Sequence, residues 1–114
     1  CPSQYATVER AAAETRPELL IRPTKFTTVT ANRDQTAVHT DGNNLDGGLG
    51  VMTAIRSRDF KGGLFVLPKF DLAVDLGPGD VLCVDNREYH GNTPFLSGWR
   101  VSAIAYYHES NRSR

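Results

Sequence analysis

This sequence has no excess of positive or negative charge: thirteen Lys and Arg residues offset thirteen Asp and Glu. The chain therefore lacks the whole-surface attraction to phosphate that marks strong duplex binders, and any contact with nucleic acid must be local. Cysteine is scarce too. Cys1 and Cys83 make neither a disulfide framework nor a CxxC metal site, which favours a reducing, intracellular compartment. Cys83 lies in the apolar run Val81–Val84 and is expected to be a small buried residue. No apolar run approaches the roughly 18 residues that a membrane span needs. Cys1-Pro2 opens without the basic-then-apolar pattern of a signal segment, and a start on Cys rather than Met reads as a piece of a longer product. There is no repeat, low-complexity tract or internal boundary, so 114 residues form one domain around one core.

What is present is all-β grammar after a helical start. Residues 6–21 hold an alanine-rich stretch broken at Pro17, whose ring disfavours helical geometry at Arg16, so one helix and a short second turn are expected. From Pro23 onward, short β-branched or aromatic runs alternate with Gly, Pro, Asn and Asp. Eight strands are predicted, over 25–31, 36–40, 49–55, 64–67, 71–75, 81–84, 88–90 and 99–108. Such strands with short links imply a jelly roll or a small barrel.

Three residues carry the chemistry. His39-Thr40-Asp41 sets an imidazole and a carboxylate two residues apart at the end of a predicted strand, hence on one face. His90 comes late in the strand order, and in a jelly roll early and late strands lie side by side. Two imidazoles and one carboxylate on one side of an ion are the facial triad of non-haem Fe(II) oxygenases, although zinc accepts the same ligands. In the last strand, strict alternation points Arg100, Ser102, Ile104, Tyr106 and His108 to one side. An arginine and a serine are costly to bury unpaired, and a carboxylate ligand would pair with both. The opposite orientation would make Val101, Ala103 and Ala105 the core.

The ordered set His39-x-Asp41, His90 and Arg100-x-Ser102 resembles the 2-oxoglutarate/Fe(II)-dependent dioxygenases, a double-stranded β-helix family, over roughly residues 24–108. Within it, Phe26–Ala31, Val66–Lys69, Pro78–Leu82 and His90–Pro94 look like the TET/JBP group, which oxidises the 5-methyl group of pyrimidines in DNA. The resemblance implies a mainly β jelly roll using Fe(II), 2-oxoglutarate and molecular oxygen. His39, Asp41 and His90 would hold the iron. Arg100 and Ser102 would hold the distal carboxylate of 2-oxoglutarate, with Arg33 a loose candidate for its other end. Asn44, three residues after the ligand aspartate, and Tyr106 and His108, six and eight after the arginine, would meet a flipped base, with Thr30 beside its methyl group. The implied activity is oxidation of 5-methylcytosine in DNA. The alternatives are a JBP-like thymine hydroxylase, a hydroxylase of a peptide or small molecule, and a non-catalytic metal-binding module. Arg56, Arg58, Lys61, Arg112 and Arg114 are the basic residues available to phosphate. The cysteine-rich zinc segments of animal TET enzymes and the separate DNA-binding domain of JBP proteins have no counterpart here, so the chain resembles a minimal catalytic core.

Overall fold

A computed structural model describes residues 2–42 and 44–112. Helix α1 (Pro2–Ala13) starts on a proline, tolerated because the first helical turn has no acceptor for the missing N–H. It therefore begins and ends earlier than the expected 6–21. Pro17 opens a separate 3-10 turn, Pro17–Leu19. Next, Ile21 N–H donates to Phe26 O at 2.8 Å and Thr24 N–H to Ile21 O at 2.7 Å, closing a turn that delays the first strand to Thr28.

Nine strands follow among the described residues: β1 (Thr28–Asn32), β2 (Gly50–Arg56), β3 (Lys61–Gly62), β4 (Phe65–Leu67), β5 (Leu72–Val74), β6 (Val81–Val84), β7 (Gly91–Asn92), β8 (Phe95–Ser97) and β9 (Arg100–Tyr106). They form a four-stranded sheet in the order β1-β9-β2-β6, a three-stranded sheet β5-β4-β7 and the pair β3-β8. Every pairing is antiparallel. This is the mainly β jelly roll expected from the strand grammar. No helix among the described residues is long and apolar enough to cross a membrane.

Alternation along β2 and β9 divides the core in two. Met52 and Ala54 face the smaller sheet and pack with Phe65, Leu67, Leu76 and Val84, joined by Ile104 from β9. On the other side of the large sheet, Val51 and Ala105 meet helix α1 through Val8, Ala11, Phe26, Leu45 and Tyr107. Thr15 Oγ1 hydrogen-bonds the Tyr107 hydroxyl and donates to Ala11 O, tying the helix C-terminus to the strand. Arg112 closes the same end by donating from Nε to Glu14 Oε2 at 2.7 Å, a bond that with the guanidinium charge holds the Glu14 carboxyl below its usual range. Val8 is fully buried. Val8→Ala is expected to cost about 2 kcal/mol, from lost burial and an unfilled cavity. The check is the urea midpoint, and metal affinity should stay at wild type because the sheet separates Val8 from the cavity described below.

Four expectations need correction. Residues 36–40 form no strand: His39 bridges His90 alone, and Thr36 accepts one bond from Asn92 N–H at 3.0 Å. Residues 88–90 form no strand: Glu88 ends a turn closed by its N–H to Asp85 O at 3.1 Å, His90 makes only the single bridge to His39, and β7 starts at Gly91. Cys83 is exposed, because β6 is an edge strand in which Leu82 and Val84, not Val81 and Cys83, turn inward. Strands β3 and β8, expected as loop, are two and three residues long and carry the turn formers Gly62 and Ser97.

Candidate active site

The bridge between His39 and His90 is a two-way pair, each backbone N–H donating to the other's carbonyl at 2.9 Å. Directly opposed residues share a face, and the two rings lie 4.5 Å apart. Asp41 returns to that face two residues on, its N–H donating to Asn86 O at 3.0 Å. The result is a compact set: His39 Nε2 is 3.2 Å from Asp41 Oδ1, and His90 Nε2 is 3.5 Å from Asp41 Oδ2. His90 is buried against the Phe65 ring, whereas His39 and Asp41 stay half-exposed.

The backbone decides which ring nitrogen faces the set. His39 Nδ1 lies 2.7 Å from Ala37 O, and His90 Nδ1 lies 2.8 Å from Glu88 O. A carbonyl oxygen only accepts, so both Nδ1 atoms carry a proton, and it is Nε2 of each ring that faces the Asp41 carboxylate, a lone-pair donor in the neutral imidazole. Three electron-pair donors then face one another, their ligand atoms within 4.8 Å, and a cation among them removes the repulsion. The donor set fits a divalent metal.

A cavity of about 180 Å³ opens beside the three, lined also by Asn32, Ser102, Ile104 and Asn86. Arg100, two residues before Ser102 on the same face of β9, is buried. Its Nη1 donates to Gly63 O at 2.7 Å and its guanidinium stacks over Phe95 at 4.8 Å. Among the described residues it has no carboxylate partner, and its Nε has no acceptor. Burial, and then the charge of nearby Arg56, push its pKa down. A buried cation with a free donor suits an anionic ligand.

A second cavity, of about 390 Å³, shares Thr30, Asp41 and Ile104 with the first and adds Asn44 and Tyr106. Asn44 is buried and bridges the backbone of His108, whose ring lies 6.4 Å from that of Tyr106. The structure therefore gathers His39, Asp41, His90, Ser102, Thr30, Asn44 and Tyr106 around two neighbouring cavities, whereas Arg100 packs on Gly63 O and Phe95 and His108 bridges Asn44, and neither lines these cavities. Arg33 is not brought there. Asp34 N–H donates to Asn32 Oδ1 at 2.8 Å, an Asx turn that carries Arg33 to a separate groove near Trp99. Of the basic residues, Arg56 pairs with Asp75 at 2.6 Å and Arg112 with Glu14, while Arg114 lies outside the described residues.

Residues 1–109 match Tet_JBP, described as the oxygenase domain of the 2OGFeDO superfamily. This chain belongs to the Tet_JBP family. Similar proteins include the bifunctional helicase and thymine dioxygenase JBP2 of Leishmania tarentolae, 39% identical over 88 residues, which cover 74% of this chain and 8% of that protein. The thymine dioxygenase JBP1 of Crithidia fasciculata is 34% identical over 96 residues, 79% of this chain and 12% of that one. The chain thus corresponds to a small part of these relatives. A solved structure of NgTET1 in complex with 5mC DNA aligns with a TM-score of 0.76 and 16% identity, over 92% of this chain and 43% of that one. The two share the fold.

Two residues of this Tet_JBP domain escape the sequence reading. Asn86 lines the first cavity and touches Asp41. Arg87 donates from Nη1 to Asn44 O at 2.9 Å and to Gly42 O at 3.3 Å, pinning the stretch that lines the second cavity. Both stand in Asp85-Asn86-Arg87-Glu88, whose composition signals only a turn.

Proposed function

We propose that this domain oxidises the 5-methyl group of a pyrimidine base in DNA with Fe(II), 2-oxoglutarate and molecular oxygen, and that 5-methylcytosine is its preferred base. The observation that carries the reading is a pair of neighbouring cavities that share lining residues. One is lined by the His39, Asp41 and His90 set and Ser102, the other by Asn44 and Tyr106, and Asp41 and Thr30 belong to both. A co-substrate and a base can therefore meet at the metal from different sides.

In this reading His39, Asp41 and His90 hold the iron through Nε2, a carboxylate oxygen and Nε2. Iron with 2-oxoglutarate and oxygen supplies the oxidant that exchanges a methyl C–H for C–OH. Arg100 and Ser102 bind the distal carboxylate and so set the orientation of the co-substrate. A base inside a duplex is out of reach, so it must be extruded, and an extruded base needs a stacking ring and partners for its edge. Tyr106 supplies the ring, Asn44 and His108 supply the partners, and Thr30 closes on the methyl group.

Preference for cytosine rests on a tautomer. Ser110 N–H donates to His108 Nδ1 at 3.3 Å, so Nδ1 lacks the proton and Nε2 carries it. An Nε2–H donor suits N3 of cytosine, an acceptor, and opposes N3–H of thymine. The thymine dioxygenases among the relatives favour the second reading, a JBP-like thymine hydroxylase. Identical oligonucleotides carrying one base or the other, analysed as nucleosides by mass spectrometry, decide between them. His108→Ala should lower methylcytosine turnover and narrow its lead over thymine, since an unpaired buried edge costs about 1–3 kcal/mol. Tyr106→Ala should weaken both bases. A wild-type preference for thymine, or a ratio unmoved by His108→Ala, gives the site to thymine.

A further inference from the structure

Asn86 is 2% exposed, deeper than any of the three metal-site residues, and its Oδ1 has no hydrogen-bond partner. An unsatisfied buried carbonyl lowers stability, so the side chain does not serve the core. It reaches Asp41 twice. The backbone carbonyl of Asn86 accepts from Asp41 N–H at 3.0 Å, and its Nδ2 lies 3.5 Å from Asp41 Oδ2. Chemistry fixes the orientation of the amide, because only the NH2 end can face a carboxylate without repulsion. The turn is rigid in its own right, with Arg87 N–H bonded to Asp85 Oδ1 at 3.0 Å and Glu88 N–H to Asp85 O at 3.1 Å.

The space for the amide comes from Gly50, the first residue of β2. A Cβ built there would lie 2.6 Å from Asn86 Oδ1 and 3.1 Å from its Cγ. A left-handed φ is not what calls for glycine here, since Gly50 is absent from the positive-φ residues. The close approach of the carboxamide is.

We infer that Asn86 is a positioning residue of the metal centre: seated on Gly50, it holds the Asp41 carboxylate in the orientation that faces His39 and His90. The inference rests on the metal-site reading above. Partners of this kind restrict the rotation of a ligand carboxylate, and their loss commonly weakens metal binding about 10- to 100-fold while leaving the ligands in place.

The test uses the full chain freed of metal and titrated with Mn(II), with the visible spectrum of the Co(II) form as a second readout. Asn86→Leu keeps the branched outline and heavy-atom count of the side chain and removes both the donor and the orphan carbonyl. The Mn(II) Kd should rise about 10- to 100-fold, the Co(II) bands should shift, and the Tm of the metal-free protein should hold or rise. Gly50→Ala leaves Asn86 in the sequence but displaces its carboxamide, so it should raise the Kd as well, and it keeps the inference testable if Asn86→Leu does not fold. Asp41→Ala is the control. If Asp41→Ala loses Mn(II) while both other variants bind like wild type, Asn86 has no positioning role. A folded Asn86→Leu with a lowered metal-free Tm and wild-type Mn(II) affinity makes the residue structural and overturns the inference equally. If Asp41→Ala itself binds Mn(II) normally, the metal-site reading falls first.

Discussion

His39→Ala, Asp41→Ala and His90→Ala are each expected to reduce oxidation of methylated DNA to background and to lose Mn(II) binding, with the fold retained. Each change removes one of the three donors converging within 4.8 Å, and two remaining ligands on one side of an ion hold it poorly. The cost to the fold should be small for His39 and Asp41, which are half-exposed. It should be larger for His90, which gives up its contact with Phe65. Calorimetric metal titration, circular dichroism and nucleoside mass spectrometry on the same preparations separate these effects. A folded variant that keeps near wild-type turnover removes that residue from the metal centre.

Arg100→Lys should raise the apparent KM for 2-oxoglutarate about 10- to 100-fold, corresponding to about 1.5–3 kcal/mol for a hydrogen bond to a charged group. Iron affinity should not move. The guanidinium uses one edge on Gly63 O and one face on Phe95, which leaves its Nε without an acceptor. A lysine ammonium reproduces neither the planar fork nor the stacking. Because Phe60 and Phe95 both pack on Arg100, some loss of Tm is expected as well. The KM change must therefore be measured below the unfolding range. An unchanged response to 2-oxoglutarate would mean that Arg100 serves packing alone.

The sequence was most legible where period two operates over a long strand. Alternation in β9 separates Arg100, Ser102, Ile104 and Tyr106 from Ala105, and in the structure Ser102, Ile104 and Tyr106 line the cavities, Arg100 is buried on Phe95, and Ala105 packs against helix α1. Both faces of this strand are covered, so the orientation with small apolar residues packed inward and the one with Arg100 inward each describe one side of it. Residues 36–40 misled for a physical reason. Their β-branched texture is real, but their partner turns at 85–88, so the ladder shrinks to the single bridge at His39 and His90. Asn86 and Arg87 were illegible because their roles depend on Asp41, on Gly50 and on the carbonyls of Gly42 and of Asn44, all distant in sequence. The loop residue Arg33 offered no periodic signal at all, and its direction was set by the Asx turn at Asn32.

Strand β9 comes last of the nine along the chain, yet it lies between β1 and β2. During synthesis, therefore, those two strands emerge long before the partner that separates them. Each then presents an open edge to other nascent chains, the kind of surface that recruits strands from neighbours. Pairing at such sequence separation is also slow, because a large loop must close before any contact forms. The same late strand brings Ser102, Ile104 and Tyr106 to the cavities. A growing chain thus gains its shielding against edge-to-edge aggregation and part of the walls of both pockets in one event, the insertion of strand β9 between β1 and β2.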